Sequence, residues 1–221
     1  VDARVTGDER RRRLARTRVY LVLDASACPG GEWREPLARA LDSGVVGMVQ
    51  VREKALGDDA FAAHARLVAA LARDAGALLI LNDRVALLDE TGADGVHVGE
   101  DDAPVGLARA AAGPDRLVGA SAHDRAEVLA AAAAGADYAG LGPCFPTRTK
   151  ALARTPRGAA LVAEATPGAP IPVFPIGGVT TENVAALARA GARRVAVGAG
   201  VLGAPDPRAA ALAIARALEA P

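Results

Sequence analysis

A chain of 221 residues is long enough for a sizeable core and has the usual size of one compact α/β barrel. Its 26 basic and 26 acidic residues cancel, which argues against nucleic acid or a membrane surface as the main partner and makes any anion specificity local. Hydrophobic residues make up 51% of the chain and aromatics only 3%, so the core has to be built from Ala, Val, Leu and Ile.

The N-terminus carries Asp2, Asp8 and Glu9 ahead of Arg10-Arg-Arg-Arg13 and has no apolar run of the kind a secretory signal needs. Residues 1–17 read as a basic extension before a single domain at 18–221, and the flanking acids make the arginine run a solvated helix face. Apolar, β-branched runs then follow at 19–23, 45–51, 78–81, 95–98, 117–120, 138–141, 173–176 and 194–197. Between them lie helical patterns near 33–43, 58–75, 84–91, 103–112, 123–134, 157–165, 180–190 and 205–219. About eight βα units in one chain predict an α/β fold, a single closed (β/α)8 TIM barrel with right-handed connections. Gly135 and Gly191 follow alanine-rich helices as C′ residues, and Thr180 or Thr181 is placed to cap the helix after Gly177-Gly178.

The alanine run 130–134 is too short to span a bilayer, and Cys28 and Cys144 have neither metal-site nor disulfide-framework spacing. Both read as inert thiols, and the chain as a soluble cytoplasmic protein acting on small molecules, with a homo-oligomer left open. The one long connection, 142–157, is polar and a lid candidate.

Chemistry in such a barrel lies at the C-terminal ends of the strands, and the unusual polar residues fall there. Gln50, Arg52 and Lys54 follow strand 2, Asn82 and Asp83 strand 3, Asp102 strand 4, Ser121 and His123 strand 5, and Thr147, Thr149 and Lys150 strand 6. Period-two alternation turns Arg52 and Lys54 the same way, as a clamp for an anion; carboxylates close by suggest a polyphosphate held with a divalent metal. Strands 7 and 8 end in Gly177-Gly178 and Gly198-Ala-Gly200, where backbone N–H groups can approach a second phosphate. Arg52 could instead form only a structural ion pair, with Glu53 or Asp83, and His97 reads as a packed core histidine.

These residues also carry a family likeness. Tyr20-Leu-Val-Leu-Asp24, Val49-Gln-Val-Arg-Glu-Lys54, Asn82-Asp-Arg84, Ala93-Asp-Gly-Val-His-Val-Gly99, Ser121-Ala-His123, Gly140-Leu-Gly-Pro143, Pro146-Thr-Arg-Thr-Lys150 and Ile176-Gly-Gly-Val179, in that order, resemble thiamine phosphate synthases. The resemblance implies a transferase that couples a hydroxymethylpyrimidine diphosphate to a thiazole phosphate, plain or 2-carboxylated, releasing pyrophosphate and giving thiamine monophosphate. It implies the pyrimidine ring near Gln50 and the diphosphate against Arg52, Lys54, Asn82, Ser121 and Lys150. Mg²⁺ would be held by Asp83 and Asp102, and the thiazole phosphate by Thr147, Thr149 and the amides of Gly178, Ala199 and Gly200. Two places depart from the family's usual pattern: Glu100 stands where a Gln is usual, and strand 8 ends in Val197-Gly198-Ala199-Gly200 where a Val-Ser-like pair is usual, losing a hydroxyl but keeping the backbone donors. The related thiazole tautomerases share the barrel and the Arg-Glu-Lys motif and would use His123 as a proton shuttle; a non-catalytic thiazole-phosphate-binding relative is the other alternative.

Overall fold

A computed structural model describes residues 5–100, 102–147 and 155–219. Helix α1 (Gly7–Arg16) precedes eight parallel strands: β1 (Val19–Leu23), β2 (Val46–Val51), β3 (Leu78–Asn82), β4 (Gly95–Val98), β5 (Leu117–Ala122), β6 (Tyr138–Leu141), β7 (Val173–Pro175) and β8 (Val195–Val197). Helices α2 (Arg34–Leu41), α3 (Asp58–Asp74), α4 (Leu88–Thr91), α5 (Val105–Ala112), α6 (Arg125–Ala133), α7 (Gly158–Ala165) and α8 (Val184–Arg189) connect them, and α9 (Ala199–Leu202) and α10 (Pro207–Ala217) follow β8. Strand order is β7-β6-β5-β4-β3-β2-β1-β8, a nearly closed TIM barrel in which β7 and β8 are neighbours without a ladder between them.

The strands read as continuous apolar runs because both of their faces are covered. Tyr20, Val22, Met48, Leu78, Ile80, Leu117, Tyr138, Phe174 and Ala196 fill the barrel, while the alternate residues Leu21, Leu23, Val49, Val51, Leu79 and Leu81 pack under the helices. Scarce aromatics are concentrated at the centre: Tyr20, Tyr138 and Phe174 meet edge to face, with ring centroids 5.4 to 5.7 Å apart. Room for the Tyr138 ring comes from Gly119, where a Cβ would stand 2.1 Å from Tyr138 Cζ.

Helix α1 closes the opposite end of the barrel. Thr6 caps it by accepting from Glu9 N at 3.2 Å, with Asp8 and Glu9 in its first turn and Arg13 and Arg16 in its last, each sign where the helix dipole favours it. Leu14 enters the barrel's inner cluster, and Arg10, one turn earlier on the same face, is buried against Asp94, Nε to Oδ1 2.9 Å. The reading of the arginine run as a solvated face therefore fails for Arg10 and holds for Arg12 and Arg13, which pair with Glu9 on the surface.

Three local expectations change. The helix expected at 84–91 is a 3-10 turn, Val85–Leu87, running into the single turn of α4. The one expected at 180–190 starts later, because Thr180 N donates to Asn183 Oδ1 (2.9 Å) and Asn183, not Thr180 or Thr181, is the N-cap of α8. Helix α9 was not anticipated. Gly135 and Gly191 do follow the C-caps of α6 and α8, with φ of 97° and 103°. Both thiols are buried, Cys28 pushed up to about 11 and Cys144 to about 12 chiefly by desolvation, which keeps them unreactive. No helix among the described residues is long and apolar enough to cross a membrane.

Candidate active site

Strand parity carries past the strand ends and assembles the site. The Arg52 N–H donates to Leu23 O (2.8 Å), one rung beyond β2, so Arg52 keeps the inward phase of Met48 and Gln50. Asp24 keeps that of Tyr20 and Val22, and the two side chains meet, Arg52 Nη1 to Asp24 Oδ2 2.9 Å. Arg52 thus pairs with Asp24, whereas the sequence pointed to Glu53 or Asp83. Glu53 turns the other way, accepts from Ala25 N (2.6 Å), and has its carboxyl raised by burial and then by Asp24, against the pull of that N–H and of Arg52.

Around β3 and β4 the charges alternate. Lys54 Nζ lies 3.3 Å from Asp83 Oδ2, and Asn82 Nδ2 donates to that same oxygen. Asp83 holds the left-handed region at φ 64°, the only described non-glycine residue to do so, after a strand end fixed by its N–H donating to His97 O (2.9 Å). Gly99 N donates to Asp102 Oδ2 (3.0 Å) and aims that carboxylate at Asp83. Asp83 is raised above the ordinary carboxylate range, first by burial and then by Asp102, with Lys54 opposing. Its Oδ1 is buried with no hydrogen-bond donor. Two facing carboxylates and an orphaned buried oxygen are hard donors suited to a divalent cation, although no cluster of three or more His, Cys, Asp or Glu side chains forms among the described residues.

Deeper in the barrel Gln50 is buried and its Nε2 donates to the Tyr20 hydroxyl. Ser121, on β5, has its Oγ 3.2 Å from His97 Nε2. His97 is the packed core histidine expected, yet it also touches a candidate site residue. His123 is held by two hydrogen bonds, Nδ1–H donating to Gly142 O and the backbone N donating to Glu127 Oε2 (2.8 Å), while its buried Nε2, which makes no hydrogen bond, lies 3.3 Å from Glu100 Oε2.

On the β7–β8 side, Gly178 has φ 59° and lies under the β6 loop, where a Cβ would fall 2.3 Å from Pro146 O. This crossing, in addition to any phosphate, demands glycine there. Ala199 and Gly200 form the first turn of α9, whose N–H groups have no preceding carbonyls within the helix. Thr147 ends the described part of the β6 loop; Thr149 and Lys150 lie outside the described residues. The structure thus gathers Gln50, Arg52, Lys54, Asn82, Asp83, Asp102 and Ser121 at one mouth, with Gly178, Ala199 and Gly200 on its far rim. Sequence reasoning missed Asp24, the tyrosines behind Gln50 and the Glu100–His123 contact. Only Asp24 left a readable signal, being four residues after Tyr20 as Arg52 is after Met48.

A family model described as thiamine monophosphate synthase matches residues 19–201. The chain is 48% identical over 183 residues to a thiamine-phosphate synthase of Anaeromyxobacter dehalogenans, covering 83% of this chain and 82% of that one. It is 40% identical to the thiamine-phosphate synthase of Geobacillus thermodenitrificans, covering 98% and 97%. Among solved structures, a thiamine phosphate pyrophosphorylase from Pyrococcus furiosus superposes with a TM-score of 0.80 at 30% identity, covering 95% of this chain and 97% of that one.

Proposed function

The chain belongs to the thiamine monophosphate synthase family and is a transferase that makes thiamine phosphate, and from that premise we propose how its residues divide the reaction. The electrophile is the aminopyrimidine carried on a methylene diphosphate, and the nucleophile is the ring nitrogen of thiazole phosphate. Gln50 meets the pyrimidine ring. Arg52 and Lys54, with Asn82 and Ser121, grip the diphosphate, and Lys150 joins them from the β6 loop. Asp24 holds Arg52 in place, so its guanidinium reaches the anion already oriented. The thiazole phosphate sits against the amides of Gly178, Ala199 and Gly200, with Thr147 and Thr149 beside it. Asp83 and Asp102 hold Mg²⁺, which when bound supplies positive charge against the diphosphate. The observation that carries this reading is the Asp83 oxygen left without a donor opposite Asp102, next to Lys54 and Asn82.

As the C–O bond breaks, the pyrimidinylmethyl group becomes cationic and its amino group delocalises the charge, while the leaving diphosphate gains charge that Arg52, Lys54 and Lys150 stabilise. The thiazole nitrogen then closes the new C–N bond. No protein base is needed, because a ring nitrogen attacks and the departing diphosphate can take up a proton. Catalysis rests on orientation and electrostatics.

Incubated with pyrimidine diphosphate, thiazole phosphate and Mg²⁺, the purified protein should form thiamine monophosphate, and EDTA should stop it. Undiminished product in EDTA would remove the metal from the scheme. His123 has no step to perform here, since its ring is tied to Gly142 and faces Glu100. His123→Asn should keep product formation within a few-fold of the parent; a loss of several hundredfold at unchanged stability would return the histidine to the mechanism.

A further inference from the structure

The corner after β3 and the turn after β2 carry the two halves of one ion pair, Asp83 and Lys54, and a third residue ties the segments together. Arg84 Nη2 donates to Leu56 O at 2.6 Å, Nη1 donates to Asp58 Oδ1, and the guanidinium carbon stands 4.6 Å from the centre of the Phe61 ring. These three partners lie in one stretch. The Leu56 N–H closes the turn over Lys54 by donating to Glu53 O (3.3 Å), and the Phe61 N–H donates to Gly57 O (2.9 Å) at the start of α3. The planar fork therefore seats on the end of the turn by hydrogen bond, charge and ring face together, which a lysine could not do. Its other end is also fixed: the Arg84 N–H donates to Asn82 O (2.8 Å) and the Val85 N–H to Asp83 O (3.1 Å), on either side of the left-handed Asp83.

Lys54 needs such a tie. Its side chain is 53% exposed and its ammonium is held by Asp83. In the proposed scheme that pair separates on binding, Lys54 turning to the diphosphate and Asp83 to the cation, so a contact made of the two working charges cannot also hold the turn. The Arg84 bond to Leu56 uses neither charge and stays made. We propose that Arg84 is a positioning residue that, through Leu56 O, keeps the turn of Lys54 against the β3 corner and so sets the reach of Lys54 to the diphosphate. The Leu56 bond carries this role. Asp58 is 70% exposed, where an ion pair is worth little, whereas the bond to the part-buried carbonyl is short and charge-assisted. The proposal rests on the reading of Lys54 as a diphosphate ligand.

The test is a double-mutant cycle on Arg84→Met and Lys54→Ala, with Asp58→Ala beside it. It reads kcat/KM for the pyrimidine diphosphate, KM for thiazole phosphate, and the calorimetric Kd of inorganic pyrophosphate. Arg84→Met keeps an apolar stem over Phe61 and loses both side-chain bonds. Alone it should lower kcat/KM and weaken pyrophosphate at least about tenfold, within the roughly 100-fold that an ångström of misplacement can cost, with KM for thiazole phosphate unchanged. In the Lys54→Ala background the same change should cost less than about twofold, because nothing is left to position. Asp58→Ala should likewise cost less than about twofold; a loss equal to that of Arg84→Met overturns the route through Leu56. An undiminished loss in the Lys54→Ala background overturns the proposal, and its repair by added Mg²⁺ would show Arg84 acting on Asp83 instead. Full activity in Arg84→Met while Lys54→Ala is impaired overturns the proposal alone. An unimpaired Lys54→Ala takes Lys54 off the diphosphate, and the proposal goes with it. Arg84→Lys, which reaches one partner at a time, should show the same dependence on Lys54 and serves if the methionine variant does not fold. Failure of both to fold, or equal rises in both KM values, marks a merely structural residue and also overturns it.

Discussion

Asp83→Asn should cost at least about 100-fold in kcat/KM, close to 2.7 kcal/mol of transition-state stabilisation, at ordinary Mg²⁺ and with the fold intact. Asparagine is the informative replacement because it tolerates the left-handed backbone at φ 64° as aspartate does, whereas alanine would add about 1 kcal/mol of strain. The change removes the negative charge and keeps the shape. Stability should not fall with activity. The Asp83 carboxyl titrates above its ordinary value in the folded chain, so the native state binds the proton more tightly than the unfolded one, and ionisation above that ordinary value works against folding. At neutral pH the amide relieves the repulsion from Asp102, and the melting temperature should hold or rise. Steady-state kinetics over an Mg²⁺ titration, with a thermal melt of each protein, check both halves; unchanged kcat/KM would take the metal site out of the scheme. A residue held in a strained backbone and repelled by its neighbour is the usual form of a trade of stability for function.

At the other end of the barrel the balance reverses. Arg10→Ala should destabilise the chain by about 3–5 kcal/mol while leaving turnover per folded molecule unchanged. The guanidinium donates to Asp94, to Val5 O at 2.6 Å and to Asp115 O at 3.3 Å, and Asp94 also accepts from Leu79 N at 3.0 Å. Arg10 and Asp94 side chains keep 11% and 17% of their exposure, so screening by water is slight. Removing the cation strands Asp94 under the strands. Against a typical total of about 5–15 kcal/mol, that loss is large. Urea titration measures it, and a free-energy change below about 1 kcal/mol would show that water replaces the arginine.

The strands were legible because burial on both faces leaves an unbroken apolar run, and six of the eight begin at the residue the sequence indicates, β2 and β8 starting one later. Helix α8 was harder, since the turn from Thr180 to Asn183 delays its start through side-chain bonds that composition does not reveal. The inward clamp of Arg52 was readable from parity. Its partner Asp24 shares that parity, four residues after Tyr20, but which carboxylate the guanidinium meets depends on how neighbouring strands are staggered, and the sequence pointed to Glu53 or Asp83 instead. Arg10 was misread for a related reason: a run of four arginines looks uniform, and only the position of Leu14 four residues later shows which of them faces the barrel. The polar chain behind Gln50 joins residues 20, 50 and 138, and sequence proximity holds no trace of it.

Seven of the barrel's eight seams are stitched by backbone ladders, and the seam between β7 and β8 is not. In mechanical terms the barrel is a hoop with one open join. In the proposed placement the thiazole phosphate grips Gly178 after β7 and Ala199 and Gly200 after β8, so the substrate is the clasp. At a concentration one hundred times its dissociation constant such a ligand adds about 2.7 kcal/mol to the folded state. While it is bound, the molecule being transformed is also part of what keeps the enzyme round.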